Sequence, residues 1–308
     1  TDAQGEVLYV GKASNLRSRV RSYFGTNESR TKVGSLLKLM QGIEFIQTPD
    51  LLTAEVLELR IIGRLRPRYN HAGTRTAKYC YVRLTTDEEW PRLMVSKTPS
   101  AKGLCIGPIS TRNMATEVVD AIESVIPLRR CTVRMGRNYV APEGAPVCSA
   151  ARLGLAQCPC SGTAEPESYA NAVQQAADAL TGKSSFVRDA LTERMNAHSE
   201  AQRYEEAAYL RDRIQTFETV LRRQEQAEKL CSRGKFTVSF DNIVYEVDNG
   251  VLASTRNADQ LFMPLSSLSK QVQEAIIPPA GVHDDHGVLR NDAMDEVLCI
   301  AKFLEAQQ

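Results

Sequence analysis

The first seventy residues of this 308-residue chain hold side chains whose types and spacing could do phosphate chemistry. Cleaving a phosphodiester needs an activated water and neutralisation of the charge that builds on the phosphate oxygens. Arg17 and Arg19 carry guanidinium forks that match a phosphate in a way lysine cannot copy, and Lys12 adds a point charge. Glu58 could hold one Mg²⁺, since Mg²⁺ often takes only one or two carboxylates. Residues of these types could together act on a phosphodiester with one metal ion.

A second group of candidate residues is a cluster of cysteines. Three of the eight cysteines, Cys148, Cys158 and Cys160, lie close together after Cys131 in a stretch rich in Gly, Pro and Ala. Eight cysteines are too sparse for a disulfide scaffold in a chain of this length. Four soft ligands in a segment with little apolar content favour a metal that stabilises it. The residues leave an iron–sulfur cluster, Zn²⁺ and buried structural thiols as alternatives.

Short helices and strands must position these residues. Apolar spacing and capping residues in the first part of the chain predict a small α/β unit. Its elements are a strand over 7–11, helices over 14–24 and 32–40, a strand over 43–47 and a helix over 51–65.

The rest of the chain alternates between strand and helix patterns. Strands are predicted over 79–84 and 92–96, a turn at 107–108, a helix over 111–126, three helices between 167 and 230, and short strands over 236–240 and 243–247 before further helices. We therefore expect an α+β protein. Its predicted domains are a nuclease-like domain (1–72), a linker domain with the cysteines (73–165), a helical region (166–230) and an unassigned α+β segment (231–308).

The net charge is nearly neutral, but basic and acidic side chains are distributed unevenly between the two parts of the chain. Residues 1–137 carry 22 basic and 13 acidic side chains, whereas residues 138–308 carry 16 and 24. The hydrophobic fraction of 43% excludes a disordered chain, and the sequence shows neither a membrane span nor a signal peptide. We expect a soluble cytoplasmic protein whose basic part binds nucleic acid and whose acidic part meets protein.

The N-terminal motifs resemble those of a known nuclease family. Residues 9–13 read Tyr-Val-Gly-Lys-Ala, and they are followed by Asn15 to Arg19, by Glu58 and by Arg-Pro-Arg-Tyr-Asn over 66–70. This order resembles the GIY-YIG nuclease domain of the UvrC excinuclease family. In that family the first strand would precede Thr1, so we expect the 308-residue chain by itself to be weakly active or inactive.

The resemblance implies a role for each matched residue. Tyr9 would be the general base or a water-positioning phenol, Arg19 would stabilise the transition state, and Glu58 would bind Mg²⁺ or Mn²⁺. Asn70 would organise the site through hydrogen bonds. The implied catalytic residues are Tyr9, Lys12, Arg19, Glu58 and Asn70, and the implied DNA contacts are Lys12, Arg17, Arg21, Arg66 and Arg68.

The same family supplies an interpretation of the cysteines. Cys131, Cys148, Cys158 and Cys160 lie where UvrC-like proteins carry four cysteines linked to an iron–sulfur cluster. One of the four is shifted, because the family places it at Ala156.

A helical hairpin further along also resembles a family motif. Residues 191–195 and 201–214 are similar to the UVR motif, through which UvrC contacts the helicase UvrB. The alternative is an ordinary amphipathic helix pair. The apolar and small residues of the predicted partner face are Tyr204, Ala207, Ala208, Leu210 and Ile214.

Together these motifs predict a UvrC-like endonuclease that cuts one strand of damaged duplex DNA in nucleotide excision repair. A GIY-YIG domain fused to a DEDD exonuclease is one form that such a protein could take. The alternative is a non-catalytic DNA-binding adaptor, which would use the basic part for phosphate contact and the hairpin for recruitment.

Overall fold

The computed structural model describes residues 1–24, 31–70, 79–162, 164–257, 267–285 and 287–307. The chain divides into two compact units. The terminal unit comprises Thr1–Thr76, Ala227–Val282 and Asn291–Gln308, and the middle unit comprises Ala77–Gln226 and His283–Arg290. Helices and two three-stranded antiparallel sheets confirm the α+β class. The predicted four-domain division stays a prediction.

The terminal unit begins with the three predicted helices, α1 (Leu16–Tyr23), α2 (Thr31–Leu39) and α3 (Leu51–Leu65). The side chain of Asp50 accepts a hydrogen bond from the Thr53 amide at the start of α3, which satisfies one of the unpaired donors at a helix N-terminus. The helix ends at Arg66, whose φ of 48° lies in the left-handed region. The bounds predicted for α3 are confirmed.

The strands predicted over 7–11 and 43–47 are wrong. A strand exists only where its backbone groups pair in a ladder, and neither segment forms one with any part of the chain that the structure describes. Other groups hold the first segment instead. Asn70 bonds to the backbone of Val10, and the Tyr69 amide donates to the Leu8 carbonyl.

The middle unit contains a sheet of β1 (Cys80–Leu84), β2 (Leu93–Ser96) and β3 (Leu104–Ile109) in the order β2-β1-β3. The first two strands match the predictions, but the turn predicted at Gly107 and Pro108 is wrong because both residues lie inside β3. Because β3 is an edge strand of this sheet, a proline can be accommodated without removing a ladder hydrogen bond. The helix α4 (Arg112–Glu123) packs against the sheet.

The remaining helices of the middle unit confirm the prediction of three helices between 167 and 230. They are α6 (Pro166–Leu180), α7 (Phe186–Glu200) and α8 (Tyr204–Ser232), preceded by the short α5 (Ser149–Arg152) among the cysteines. The last residues of α8 belong to the terminal unit. No helix among the described residues combines the length and the apolar character that crossing a membrane requires.

The C-terminal segment supplies the second sheet of the structure. It consists of β4 (Lys235–Phe240), β5 (Ile243–Asp248) and β6 (Val251–Asn257), followed by α9 (Lys270–Ile276) and α10 (Asn291–Ala306). The strands pair in chain order. The sequence prediction included β4 and β5 but not β6. Both α9 and α10 pack against α3, so this segment and the N-terminal helices belong to one compact unit.

Candidate active site

The acid and the lysine of the predicted site are in direct contact. The Lys12 backbone amide donates to Glu58 Oε1 at 3.1 Å, and Lys12 Nζ lies 3.6 Å from Glu58 Oε2. The same ammonium group lies 3.0 Å from Glu55 Oε2. Glu55 was not singled out from the sequence, although its position one turn before Glu58 places it on the same face of α3. Two carboxylates therefore flank one ammonium group beside α3.

Asn70 fixes the backbone between Tyr9 and Gly11. Its Oδ1 accepts from the Val10 amide at 2.8 Å, and its Nδ2 donates to the Val10 carbonyl oxygen at 2.8 Å. One side chain thus satisfies both backbone groups of a residue, as a neighbouring strand would. Asn70 lies 60 residues from Val10 in sequence, so this contact joins the two ends of the predicted motif.

The ring of Tyr9 lies over Gly11. A Cβ atom on Gly11 would be 2.9 Å from the Tyr9 hydroxyl oxygen and 3.0 Å from Cε1. Contacts this short would force the ring to move, so the close approach of Tyr9, and not the backbone angles, favours glycine at this position.

A second tyrosine completes this group. The rings of Tyr9 and Tyr23 meet edge to face with their centroids 6.0 Å apart. The Arg19 guanidinium lies over the Tyr23 ring, with Cζ 5.2 Å from the centroid. Tyr23 was missed from the sequence; its spacing of four residues from Arg19 on one helix was the available signal.

The other predicted DNA contacts are exposed. Arg17 and Arg21 lie on α1, which buries none of its residues, and Arg66 and Arg68 follow α3 with exposed side chains. Exposed guanidinium groups are accessible to phosphate without a rearrangement of the core.

The cysteines of the predicted cluster lie near one another in the middle unit. The Sγ atoms of Cys158 and Cys160 are 2.9 Å apart. Burial raises the pKa of Cys158, but hydrogen bonds from the Cys148 backbone and from the Cys160, Ser161 and Cys148 side chains lower the pKa to about 7. Burial, together with the bond to Cys158 and the charges of the other thiols, raises the pKa of Cys160 to about 12. The Cys158 thiol of the pair therefore ionises at a lower pH than the Cys160 thiol.

Cys131 is held by a buried arginine. Arg129 Nη1 donates to Cys131 Sγ at 3.3 Å, and its guanidinium pairs with Glu88. Within the described residues, no three His, Cys, Asp or Glu side chains already form a coordination group. Sulfurs on one tetrahedral Zn²⁺ would be about 3.8 Å apart from the Zn–S distance, so binding would require the 2.9 Å Cys158–Cys160 pair to open. Four neighbouring thiols nevertheless have the donor chemistry that suits a soft metal.

The residues of the predicted partner face of the hairpin differ in their burial. Tyr204 is 65% exposed, whereas Leu210 and Ile214 pack against the core of the middle unit. Arg213 fixes this side of α8 because its Nε donates to Glu117 Oε2 on α4 at 2.9 Å. Ala207 and Ala208 are half-buried.

The terminal unit thus brings together a basic helix, a contact between two tyrosine rings and a glutamate–lysine contact. Comparison with family models confirms the family that the sequence motifs resemble. Residues 1–71 match a UvrC-like GIY-YIG domain, residues 79–179 the middle domain of UvrC/Cho excinucleases, and residues 187–220 the UvrB/uvrC motif. Over these residues the chain belongs to the UvrC-like GIY-YIG family.

Curated relatives carry the same family name. The UvrABC system protein C of Syntrophus aciditrophicus is 34% identical over 224 residues, which are 72% of this chain and 35% of the relative. The protein of the same name from Clostridioides difficile is 31% identical over 229 residues, 73% of this chain and 37% of that protein. The chain thus spans about a third of the length of these relatives. No solved structure matches it.

Proposed function

We propose that this chain provides the incising part of a UvrC-type DNA-repair endonuclease, which hydrolyses a phosphodiester bond on one strand near a lesion. The observation that carries the proposal is the contact between Glu58 and the Lys12 amide, which joins the acid to the segment that carries Tyr9. The family matches support a nuclease, and none of them favours the adaptor alternative.

Glu58 offers one carboxylate to a divalent ion, as the one-metal proposal requires. The Glu58 side chain is 22% exposed, and its two oxygens keep acceptor capacity beyond the contacts with Lys12. Mg²⁺ or Mn²⁺ held there would supply Lewis-acid stabilisation of the phosphate. Tyr9 would position or deprotonate the attacking water, and Arg19 would neutralise charge on the phosphate oxygens. Asn70 would keep the Tyr9 segment in place.

Replacing Glu58 by alanine tests the nuclease proposal. In the full-length protein, we expect incision of a lesion-bearing duplex in Mg²⁺ to fall about 10²–10³-fold, the usual effect of removing a charge-stabilising group, with DNA affinity unchanged. Glu6→Ala, which removes an exposed acid from the same unit, is the matched control. Equal incision by the two variants would refute the catalytic role of Glu58, whereas DNA binding without any incision by the unsubstituted protein would refute the nuclease and support the adaptor.

The cysteine cluster is proposed to bind an iron–sulfur cluster, with Zn²⁺ as the alternative. The lowered pKa of Cys158 supports the proposal because the thiolate is the metal ligand. Metal analysis and visible absorbance of anaerobically purified protein would decide between iron, zinc and neither metal.

The hairpin is proposed to contact UvrB through the exposed side of α8. Tyr204 and Tyr209 are 65% and 56% exposed, and exposed aromatic side chains are typical anchors of protein interfaces. Tyr204→Ser should weaken co-sedimentation with UvrB, whereas Asn171→Ala on the exposed side of α6 should not. Equal binding by both variants would remove this face from the interface.

A further inference from the structure

The C-terminal segment after residue 226 is matched by none of the family models, which end at residue 220, yet it packs on α3. We propose that Arg60 and Glu296 are positioning residues, through which this segment fixes α3 and thereby the carboxylate of Glu58. This inference rests on the proposed function only for the reason why the placement of the Glu58 carboxylate matters. The placement of the carboxylate can be measured without DNA or metal.

The Arg60 guanidinium binds three parts of the C-terminal segment at once. Its Nε and Nη2 donate to the two carboxylate oxygens of Glu296 at 2.9 and 2.6 Å. Its Nη1 donates to the Ile276 carbonyl oxygen at 3.0 Å, and Nη2 also donates to the Leu252 carbonyl oxygen at 2.6 Å. The side chains of Arg60 and Glu296 are only 7% and 4% exposed. A planar fork with four acceptors fixes both position and orientation.

Glu296 is itself tied to the second sheet. Its Oε1 accepts from the Leu252 backbone amide at 2.9 Å in addition to the bond from Arg60. The ion pair therefore connects α10, β6 and the end of α9 to a single residue of α3. Every charged atom of the pair has a partner, as a buried charge requires.

Further contacts hold α3 along its length. Arg64 Nη1 donates to the Ala275 carbonyl oxygen at 2.9 Å near the C-terminal end of the helix. At the other end, the Tyr245 hydroxyl donates to Asp50 Oδ2 at 2.9 Å. Ile61 shares a core cluster with Val272 and other residues of α9. The C-terminal segment thus contacts both ends and the middle of α3.

Glu58 lies on the other side of the same helix. Two residues correspond to about 200° of rotation at 3.6 residues per turn, so Arg60 and Glu58 point in nearly opposite directions. The first is held by the C-terminal segment, and the second accepts the Lys12 amide at 3.1 Å. A rotation or shift of α3 about its axis would move the carboxylate away from Lys12.

Removing the charge of Glu296 would disturb this arrangement without truncating the core. Glu296→Gln keeps the shape of the side chain but leaves the buried guanidinium without its counter-charge. Arg60 would then move toward solvent to be hydrated, and α3 would shift with it. Misplacement of a catalytic group by about 1 Å can cost about 10²-fold in rate. We expect the incision kcat to fall at least about tenfold while the KM for DNA stays unchanged.

The exchange rate of the Lys12 amide reports the carboxylate position directly, because Glu58 is its acceptor. In hydrogen exchange without DNA or metal, Glu296→Gln should speed exchange of this amide at least about tenfold, toward the rate in Glu58→Ala. Val297→Ala is the matched control, since Val297 is a fully buried neighbour on α10 that does not contact the pair through hydrogen bonds. It should lower stability without speeding that amide.

The outcomes distinguish an effect on the placement of Glu58 from a general effect on the stability of the unit. Equal exchange at Lys12 in Glu296→Gln and Val297→Ala, at matched stability, would overturn the inference. If Glu296→Gln does not fold, the double variant Arg60→Met with Glu296→Met removes both charges, and replacement of both partners is often tolerated. Wild-type exchange at Lys12 in that variant would likewise overturn it. Normal incision by Glu58→Ala would instead refute the catalytic role proposed for Glu58 and leave the exchange result standing.

Discussion

Replacing Asn70 by alanine tests how the segment around Tyr9 is held. The substitution removes the two 2.8 Å hydrogen bonds to the Val10 backbone and leaves a partly buried amide and carbonyl without them. At about 0.5–1.5 kcal/mol for each bond, the free energy of unfolding should fall by about 1–3 kcal/mol. That loss corresponds to a melting temperature lower by roughly 2–12 °C in a unit of this size.

The assay for Asn70 combines thermal melting with incision. Asn70→Ala should also lower the incision rate because Tyr9 precedes Val10. Asn70→Asp keeps the acceptor for the Val10 amide but brings a carboxylate beside the carbonyl oxygen, so it should be destabilising at pH 7 and less so below about pH 4, where the acid can donate. Asn171→Ala on the surface of α6 is the control. Wild-type melting and incision in Asn70→Ala would refute the reasoning.

Three further predictions concern other contacts. Gly11→Ala should displace the Tyr9 ring and reduce incision more than about tenfold with little change in melting temperature, and normal incision would contradict the close approach. Glu88→Gln should lower the free energy of unfolding by about 3–5 kcal/mol in denaturant titration, because it leaves the Arg129 guanidinium, 1% exposed, without its counter-charge. An unchanged unfolding midpoint would show that the pair is dispensable. Cys158→Ser should abolish bound iron or zinc, whereas Cys105→Ser should not; equal metal content in both would remove Cys158 from the ligand set.

Local sequence signals were sufficient for the helices that carry the site. The spacing of apolar residues in α3, the aspartate before it and the Arg-Pro sequence after it together determine where this helix begins and ends, because these are short-range effects. The strands over 7–11 and 43–47 have the composition of strands, but a strand also needs a partner, which composition does not report. The turn predicted at Pro108 was wrong because its residue type suggests a break in a strand, whereas a proline is acceptable on an edge strand.

The residues of the candidate site could be predicted only because their order along the chain resembles the motifs of a known family. Which atoms meet depends on contacts between distant parts of the chain: Glu58 lies 46 residues from Lys12, and Arg60 lies 236 residues from Glu296. Nothing in the sequence around Arg60 indicates that its charge is buried, because exposed arginines on amphipathic helices look the same. The sequence therefore assigns no role to the C-terminal segment, whose role is defined by its packing on α3.

The discontinuous layout of the terminal unit has a consequence for synthesis on the ribosome. At about 5–20 residues per second, roughly 12–47 s separate the translation of Arg60 from that of Glu296. During this interval the apolar face of α3 lacks a complete α9 and α10 to cover it, while the whole of the middle unit is synthesised. The contacts through which Arg60 and Glu296 hold α3 can therefore form only after α10 has been synthesised.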